Sequence, residues 1–341
     1  MTRQNYMETK KLEYVNIAGV QMNFQRTCRV PEGKMNGLPA GLGSFPVYRV
    51  SDFKSGVPSE WREDGFFFPM YNQEATWMNL QQRYVSQGLA GVDFPTCVPK
   101  PRPRRSADPH ALIIGAGNIN AISGKPFDSS VGKRCVSTGL DVKLEKEQNY
   151  VVVPTQPWID GWKAEDGKVY QFVAAELGSG QTVEGQITGV ESVGGIQFIA
   201  YAAKDPAKLR KILPPTLYGA ECALGGSKAL RCASSVMSMG LGRGGEIEQK
   251  IYPDPYGIEV WQDKPVAVEV VYLVSSNDFK QITGHDAPPT PVTYEEYQRQ
   301  GLPWFGLHDK HWGDSSGSDV FGKLKPVSGK EDLLDKLKLK K

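Results

Sequence analysis

The chain has 341 residues, with 40 basic against 38 acidic side chains and a formal net charge of +2, a balance that argues against a dedicated nucleic-acid binder. Its 37 glycines and 24 prolines exceed the usual share, yet 10% of the residues are aromatic, so the apolar groups that offset ordering entropy are present and a disordered or low-complexity chain is excluded. A chain of this length buries about three quarters of its unfolded surface and folds without disulfide or metal staples; its five cysteines, odd in number and free of any Cys-X-X-Cys pair, read as thiols of a reducing compartment.

Residues 1–13 are polar and read as a loose segment without the apolar stretch of a secretory signal. No apolar run approaches the roughly 18 residues of a membrane span, and no Asn-X-Ser/Thr sequon occurs, so the expected location is cytoplasmic. Residues 14–24 predict a first strand and residues 31–43 a loop. Residues 57–65 read as a helical turn with Ser59 as cap and Gly65 as stop. Residues 66–71 form a buried segment in which Pro69 favours an edge, and residues 73–80 predict a short helix. In residues 95–109, prolines alternate with Lys100, Arg102, Arg104 and Arg105, the pattern of an extended polyproline loop or linker.

Strand-like runs follow at 111–116, 150–153, 168–175, 182–188, 195–202, 246–252 and 265–275, short and rich in β-branched or aromatic residues. No long amphipathic helix separates them, which excludes a doubly wound parallel sheet. Residues 217–239 suit a helix in composition but are interrupted by Gly225-Gly226. Thr293 and Glu296 make a capping box, flanked by Val292 and Tyr297 as a staple and ended by Gly301 and Pro303. Ser328 and Glu331 repeat the box at the start of a lysine-rich tail. The fold class is therefore mainly β (α+β): one large antiparallel β-sandwich-like domain over residues 14–322, short helices toward the C-terminus, and a Lys-rich helix or tail over 323–341.

The motifs for chemistry are weak. Gly115-Ala-Gly117-Asn-Ile-Asn120 lacks the third glycine of a dinucleotide fingerprint and the helix that must follow it, so it reads as a sheet turn. Gly313-Asp-Ser-Ser-Gly317 matches a nucleophile elbow, but no histidine follows it as the α/β-hydrolase order requires. His308, Asp309 and His311 could serve a hydrolase, with or without a metal, but a zinc site would need further ligands from elsewhere; no metal site and no cofactor is assigned. Met239-Gly-Leu-Gly-Arg-Gly-Gly245 could cradle an anion through main-chain amides and Arg243, yet lacks the Lys-Ser/Thr ending of a P-loop and reads as a flexible turn. Trp158, Asp160 and Trp162 place indoles beside a carboxylate; with Arg243, Tyr256 and Trp304 they are the candidate binding or interface residues, since Trp, Tyr and Arg dominate contact hot spots.

Several segments together resemble a family of uncharacterised, largely bacterial proteins: residues 61–71 (Trp61-Arg-Glu-Asp-Gly-Phe-Phe-Phe-Pro-Met-Tyr71), 117–126, 156–161, 171–180, 250–256 and 301–305. The likeness runs from about Arg26 to Phe305 and implies no activity, cofactor or site residue. The Pro/Arg segment at 99–105 and the Lys-rich tail fall outside it. The functional expectation is a non-enzymatic binding or self-assembling structural protein that forms homo-oligomers, with no membrane span and no dedicated nucleic-acid surface. The alternatives are the hydrolase above and a carbohydrate or small-molecule binder acting through Trp158 and Trp162.

Overall fold

A computed structural model describes residues 11–53, 56–80, 108–127, 148–165, 167–209, 237–306 and 313–328. Its first element is a hairpin, β1 (Val15–Ile17) and β2 (Val20–Thr27), where one strand was expected. Ala18 and Gly19 both take positive φ, and the Asn16 side chain accepts the Gly19 amide at 2.8 Å, so the turn is locally encoded. The expected loop at 31–43 holds three short strands, β3 (Met35–Asn36), β4 (Leu38–Pro39) and β5 (Gly41–Ser44). β3 joins the longer strand at Ser238–Glu248 and β5 joins β2, β4 pairs with a second short strand at Trp304–Phe305, and Asn36 Nδ2 pins the segment through the carbonyls of Pro31, Lys34 and Glu246.

β6 (Tyr48–Arg49) leads into a 3-10 turn at Val50–Phe53. Residues 57–65 form two successive turns rather than a helix, closed by Trp61 N to Pro58 O and Gly65 N to Arg62 O. They seat Trp61 flat on Tyr272, 4.4 Å between ring centres. β7 (Phe66–Met70) follows, then β8 (Ala75–Asn79), which replaces the helix expected at 73–80. Ladder positions between neighbouring strands outweigh the weak local preference of five residues.

The remaining elements are β9 (His110–Ala116), β10 (Ile119–Asn120), β11 (Val151–Val153), β12 (Trp158–Ile159), β13 (Gly161–Lys163), β14 (Lys168–Glu176), α1 (Val183–Thr188), β15 (Ile196–Ala202), α2 (Pro206–Leu209), β16 (Ser238–Glu248), β17 (Ala267–Ser275), α3 (Ser276–Thr283), α4 (Tyr294–Arg299), β18 (Trp304–Phe305) and α5 (Asp319–Lys323). Two differ from expectation. Residues 182–188 are helical because Thr182 caps the Gly185 amide at 3.0 Å and Gly189 closes the helix at φ 78°. The glycine-rich run at 239–245 is not a turn but the body of β16. A side chain at Gly242 would strike Val327 and the Gln181 carbonyl, and one at Gly244 would strike Val173, so these glycines let neighbouring segments lie against the strand. At α4 the Thr293 hydroxyl accepts the Glu296 amide as expected, but the Glu296 carboxylate turns to Arg299 and Gln300 instead of reaching back.

The fold is mainly β, with a large antiparallel sheet and few short helices, most of them toward the C-terminus. Among the described residues, sixteen strands share one sheet, whose main path runs β1-β2-β8-β14-β16-β17-β15-β9-β10. Parallel pairing enters where β7 joins β17 and β3 joins β16. β18 and β4 form a separate pair. The sheet turns back over itself: Phe24 on β2 stacks on Phe68 of β7 at 4.7 Å and meets Phe198 of β15 at 6.2 Å, although β2 and β15 lie far apart along the path. The enclosed core continues through Trp162, Phe172 and Phe321. Smaller clusters cover the outer face around Trp261, around Phe67 and Phe279, around Val30 and Ile247, and around Val173 and Val327. Strands such as β7 and β9 are therefore buried along their whole length, which is why they read as continuous apolar runs.

Buried glutamines order the connections. Gln156 donates to the carbonyls of Trp158 and Lys250 and accepts the Tyr252 amide; Gln148 donates to the carbonyls of Tyr150 and Tyr252 and accepts the Asp254 amide. Gln171 bridges Val30 and Cys28, and Gln197 bridges Asn118 and Gly194. Each amide stands in for a missing strand neighbour, so buried main-chain groups are satisfied outside the ladders.

Candidate functional site: an aromatic patch over a buried carboxyl

On β12, Ile159 turns into the enclosed core, and strand alternation sends Trp158 to the outer face. There Trp158 packs against the cluster of Val30, Leu38, Val169 and Ile247, and Trp304 of β18 packs against the same cluster. Two indoles 146 positions apart in sequence thus share one small cluster, and both remain half-buried. Helix α4 backs Trp304 with Tyr297, edge-on at 4.9 Å, and Tyr294 at 5.7 Å. The Tyr297 hydroxyl accepts the Ala40 amide at 2.7 Å and donates to the Pro303 carbonyl, tying helix, β4 and β18 together. Lys34 lies over the Tyr294 ring and reaches its hydroxyl at 3.0 Å. Phe305, next to Trp304 on β18, is 40% exposed, Met35 of β3 is 49% exposed, and Gly37 lies close to Trp304 and the Phe305 carbonyl.

Beside Trp158, Asp160 is 7% exposed. Its amide donates to Gln249 Oε1 at 2.9 Å, and its carbonyl accepts the Phe172 amide at 3.0 Å. Carboxyl oxygen Oδ2 has no hydrogen-bond partner. Burial pushes the acid up to about 7, against the opposing pull of the Trp158 indole N–H. Burial with one oxygen unmatched therefore disfavours the ionised form of this carboxyl.

The other candidates lie elsewhere. Trp162 is fully buried, donating to the Gly242 carbonyl at 3.0 Å and packing against Phe172 and Phe321. Arg243 lies over Tyr170 at 3.8 Å, and its Nη1 donates to the Leu324 carbonyl while its own carbonyl accepts the Val327 amide. It anchors the segment 313–328 rather than an anion loop. Tyr256 meets Trp261 edge-on at 5.9 Å, in a separate cluster organised by Asp254, which accepts the Tyr150 hydroxyl, the Trp261 indole N–H and the Tyr256 amide, each at 2.8 Å. His308, Asp309 and His311 lie outside the described residues, as do residues 95–107 and 329–341. Among the described residues, no group of three His, Cys, Asp or Glu side chains is placed to hold a metal.

Two motif stretches are architectural. Gly117 and Asn118 take positive φ in the turn between β9 and β10, a hairpin and not the opening of a helix. In 313–317, Asp314 accepts the Ile251 amide at 3.0 Å and the Lys163 ammonium at 2.6 Å, and the Ser315 amide donates to the Ile251 carbonyl. Lys163 is wholly inaccessible, and its burial lowers its pKa against the support of Asp314. No local signal marks this pair in the sequence, because Lys163 sits in a two-sided buried strand and its partner lies 151 positions away. Cys28 is buried, its thiol pushed up to about 12 by burial, and is no thiolate nucleophile at neutral pH.

No family model, no curated protein and no solved structure matches the chain. Among the described residues, no helix is long and apolar enough to cross a membrane.

Proposed function

We propose that the protein is a non-enzymatic binding protein that assembles with copies of itself through the patch of Trp158, Trp304, Met35 and Phe305. The observation that carries this reading is the convergence of two half-buried indoles on one cluster, with the exposed Met35 and Phe305 on the short strands β3 and β18 that join it. Aromatic and Met side chains of this kind supply contact area at low conformational cost and are the usual anchors of interfaces. The part-buried Asp254 and the buried Glu184 are at the same time spent on holding the chain, through the Tyr256 amide and the amides of residues 192–194.

Native mass spectrometry and sedimentation of the full chain test the proposal. The expected result is a homo-oligomer whose dissociation constant rises at least tenfold (about 1.4 kcal/mol) in Met35→Ser/Phe305→Ser, with thermal stability little changed because both residues are exposed. A strict monomer at high concentration, with no retained ligand, sinks it. A monomer that retains a sugar or other ring compound lost in Trp158→Ala would replace self-assembly with small-molecule binding at the same patch.

A further inference from the structure

Three Asp–Pro peptide bonds occur in the chain, at 108–109, 205–206 and 254–255. Such a bond carries its own nucleophile. The aspartate carboxylate can close a cyclic anhydride on its own main-chain carbonyl carbon, and the tertiary amide nitrogen of proline, more basic than an ordinary one, leaves more readily. The attack is intramolecular, so the fold sets its rate by how it holds the carboxylate and by what it places at the carbonyl oxygen.

Two of the three bonds are guarded. Asp254 Oδ2 accepts the Tyr150 hydroxyl and the Trp261 indole N–H, and its Oδ1 accepts the Tyr256 amide, so three donors keep this carboxylate in place. Asp205 Oδ2 pairs with Lys208 at 3.3 Å, and the Asp205 carbonyl accepts the main-chain amide of Lys208 at 3.3 Å.

Asp108 differs at its carbonyl. His110 Nδ1 lies 2.8 Å from the Asp108 carbonyl oxygen. A carbonyl can only accept, so Nδ1 carries the proton and donates it to this bond. His110 is buried and opens β9, paired with Val153 of β11 on one side and Ala202 of β15 on the other, so its position is fixed by two ladders. Pro109 is buried as well, whereas Asp108 is half-exposed, which admits water to the carbonyl. A donor fixed at the oxygen on which negative charge develops is the arrangement that speeds acyl transfer.

We propose that the Asp108–Pro109 bond cleaves itself in the folded protein, with the Asp108 carboxylate as nucleophile and His110 Nδ1–H as the donor that stabilises the oxyanion. The carboxylate oxygen bonds to the Asp108 carbonyl carbon, the carbon–nitrogen bond breaks, and the Pro109 nitrogen leaves with a proton from solvent. Water then opens the anhydride. One water is consumed overall; Asp108 ends with two carboxyl groups and Pro109 becomes a secondary ammonium terminus. This is a single turnover, and the aromatic patch plays no part in it. The two pieces stay together, because β7 runs beside β17, and β8 beside β12 and β14, across the cut.

The test follows the purified full chain over time at neutral pH by denaturing and native mass spectrometry. The expected products are residues 1–108 and 109–341, with Pro109 at the new terminus, masses that together exceed the intact chain by one water, and one particle in the native spectrum. The bonds after Asp205 and Asp254 stay whole. Cleavage is expected to be at least tenfold slower in His110→Ala and in the parent chain unfolded in urea, and absent in Asp108→Ala. A parent chain that stays whole, a cut that persists in Asp108→Ala, or an unchanged rate in His110→Ala overturns the proposal. Should His110→Ala fail to fold, the parent chain decides: cleavage as fast in urea as in the folded state, spread over all three Asp–Pro bonds, overturns it.

Discussion

Asp160 and Lys163 lie three residues apart, and both are buried ionisable side chains, but their environments treat them differently. Asp160 has no counter-charge, so burial raises its pKa to about 7. The native state then binds more protons than the unfolded state from about pH 4 to about pH 7. Its contribution to stability is best below that window and declines as pH rises through it. Asp160→Asn removes the decline. Urea unfolding is expected to show no gain at pH 4 and a gain on the order of 3–4 kcal/mol at pH 8; an equal effect at both pH values refutes the sign. Lys163 instead is paired with Asp314 at 2.6 Å. Asp314→Asn leaves a buried ammonium without its counter-ion and is expected to cost about 3–5 kcal/mol. Lys163→Met combined with Asp314→Asn is expected to recover most of that loss, because Asn preserves the oxygen that accepts the Ile251 amide and the buried charge is gone. Comparing the three unfolding curves checks this; a double variant as unstable as the single one assigns the loss to packing.

At the scale of elements, β16 and the segment 313–328 act together. Arg243 donates to the Leu324 carbonyl and accepts the Val327 amide, Gln186 exchanges two hydrogen bonds with Lys325, Gln181 accepts the Ser328 amide, and Val327 packs on Ala75, Val173 and Ala175. All of this requires Gly242, where an added Cβ would meet Val327 and the Gln181 carbonyl. Gly242→Ala is expected to destabilise the protein by about 1–3 kcal/mol through overpacking and to expose residues 313–328 to limited proteolysis before the rest of the chain opens. A proteolysis pattern unchanged from the parent protein would show that the segment is held independently of β16. The same elements explain the misread helices and strands. Residues 75–79 and 182–188 are too short for propensity to decide, so ladder partners make the first a strand and a Thr182 cap with Gly189 makes the second a helix.

At the scale of the molecule, one doubled-over sheet buries its apolar face inside and covers much of its outer face with connections, leaving the Trp158–Trp304 region half open. That region is apolar and aromatic, with Lys34 as its cation against Tyr294. An assembly held by its apolar and aromatic side chains is expected to respond weakly to salt: the dissociation constant should change by less than about threefold between low and high ionic strength. Sedimentation over a salt series checks this, and steep weakening by salt would point to an interface made by the charged surface instead.

The β-rich class, most of the long strands, the turn at 117–118 and the Thr293 cap were legible in the sequence, because each depends on β-branched and aromatic runs or on groups within four residues of one another. The glycine, proline and aromatic excess likewise pointed to ordered connections. Only the tertiary structure decided what those connections rest on. Gln171, Gln156 and Gln197 look like ordinary polar residues in the sequence and prove to be buried clamps for distant main chain. Of three neighbouring candidates, Trp162 went to the enclosed core, Trp158 joined Trp304 on the other face, and Asp160 stayed buried beside Trp158. Strand alternation sets each local choice of face, but which faces meet, and whether a carboxyl finds a donor there, depends on pairings between residues far apart in the chain.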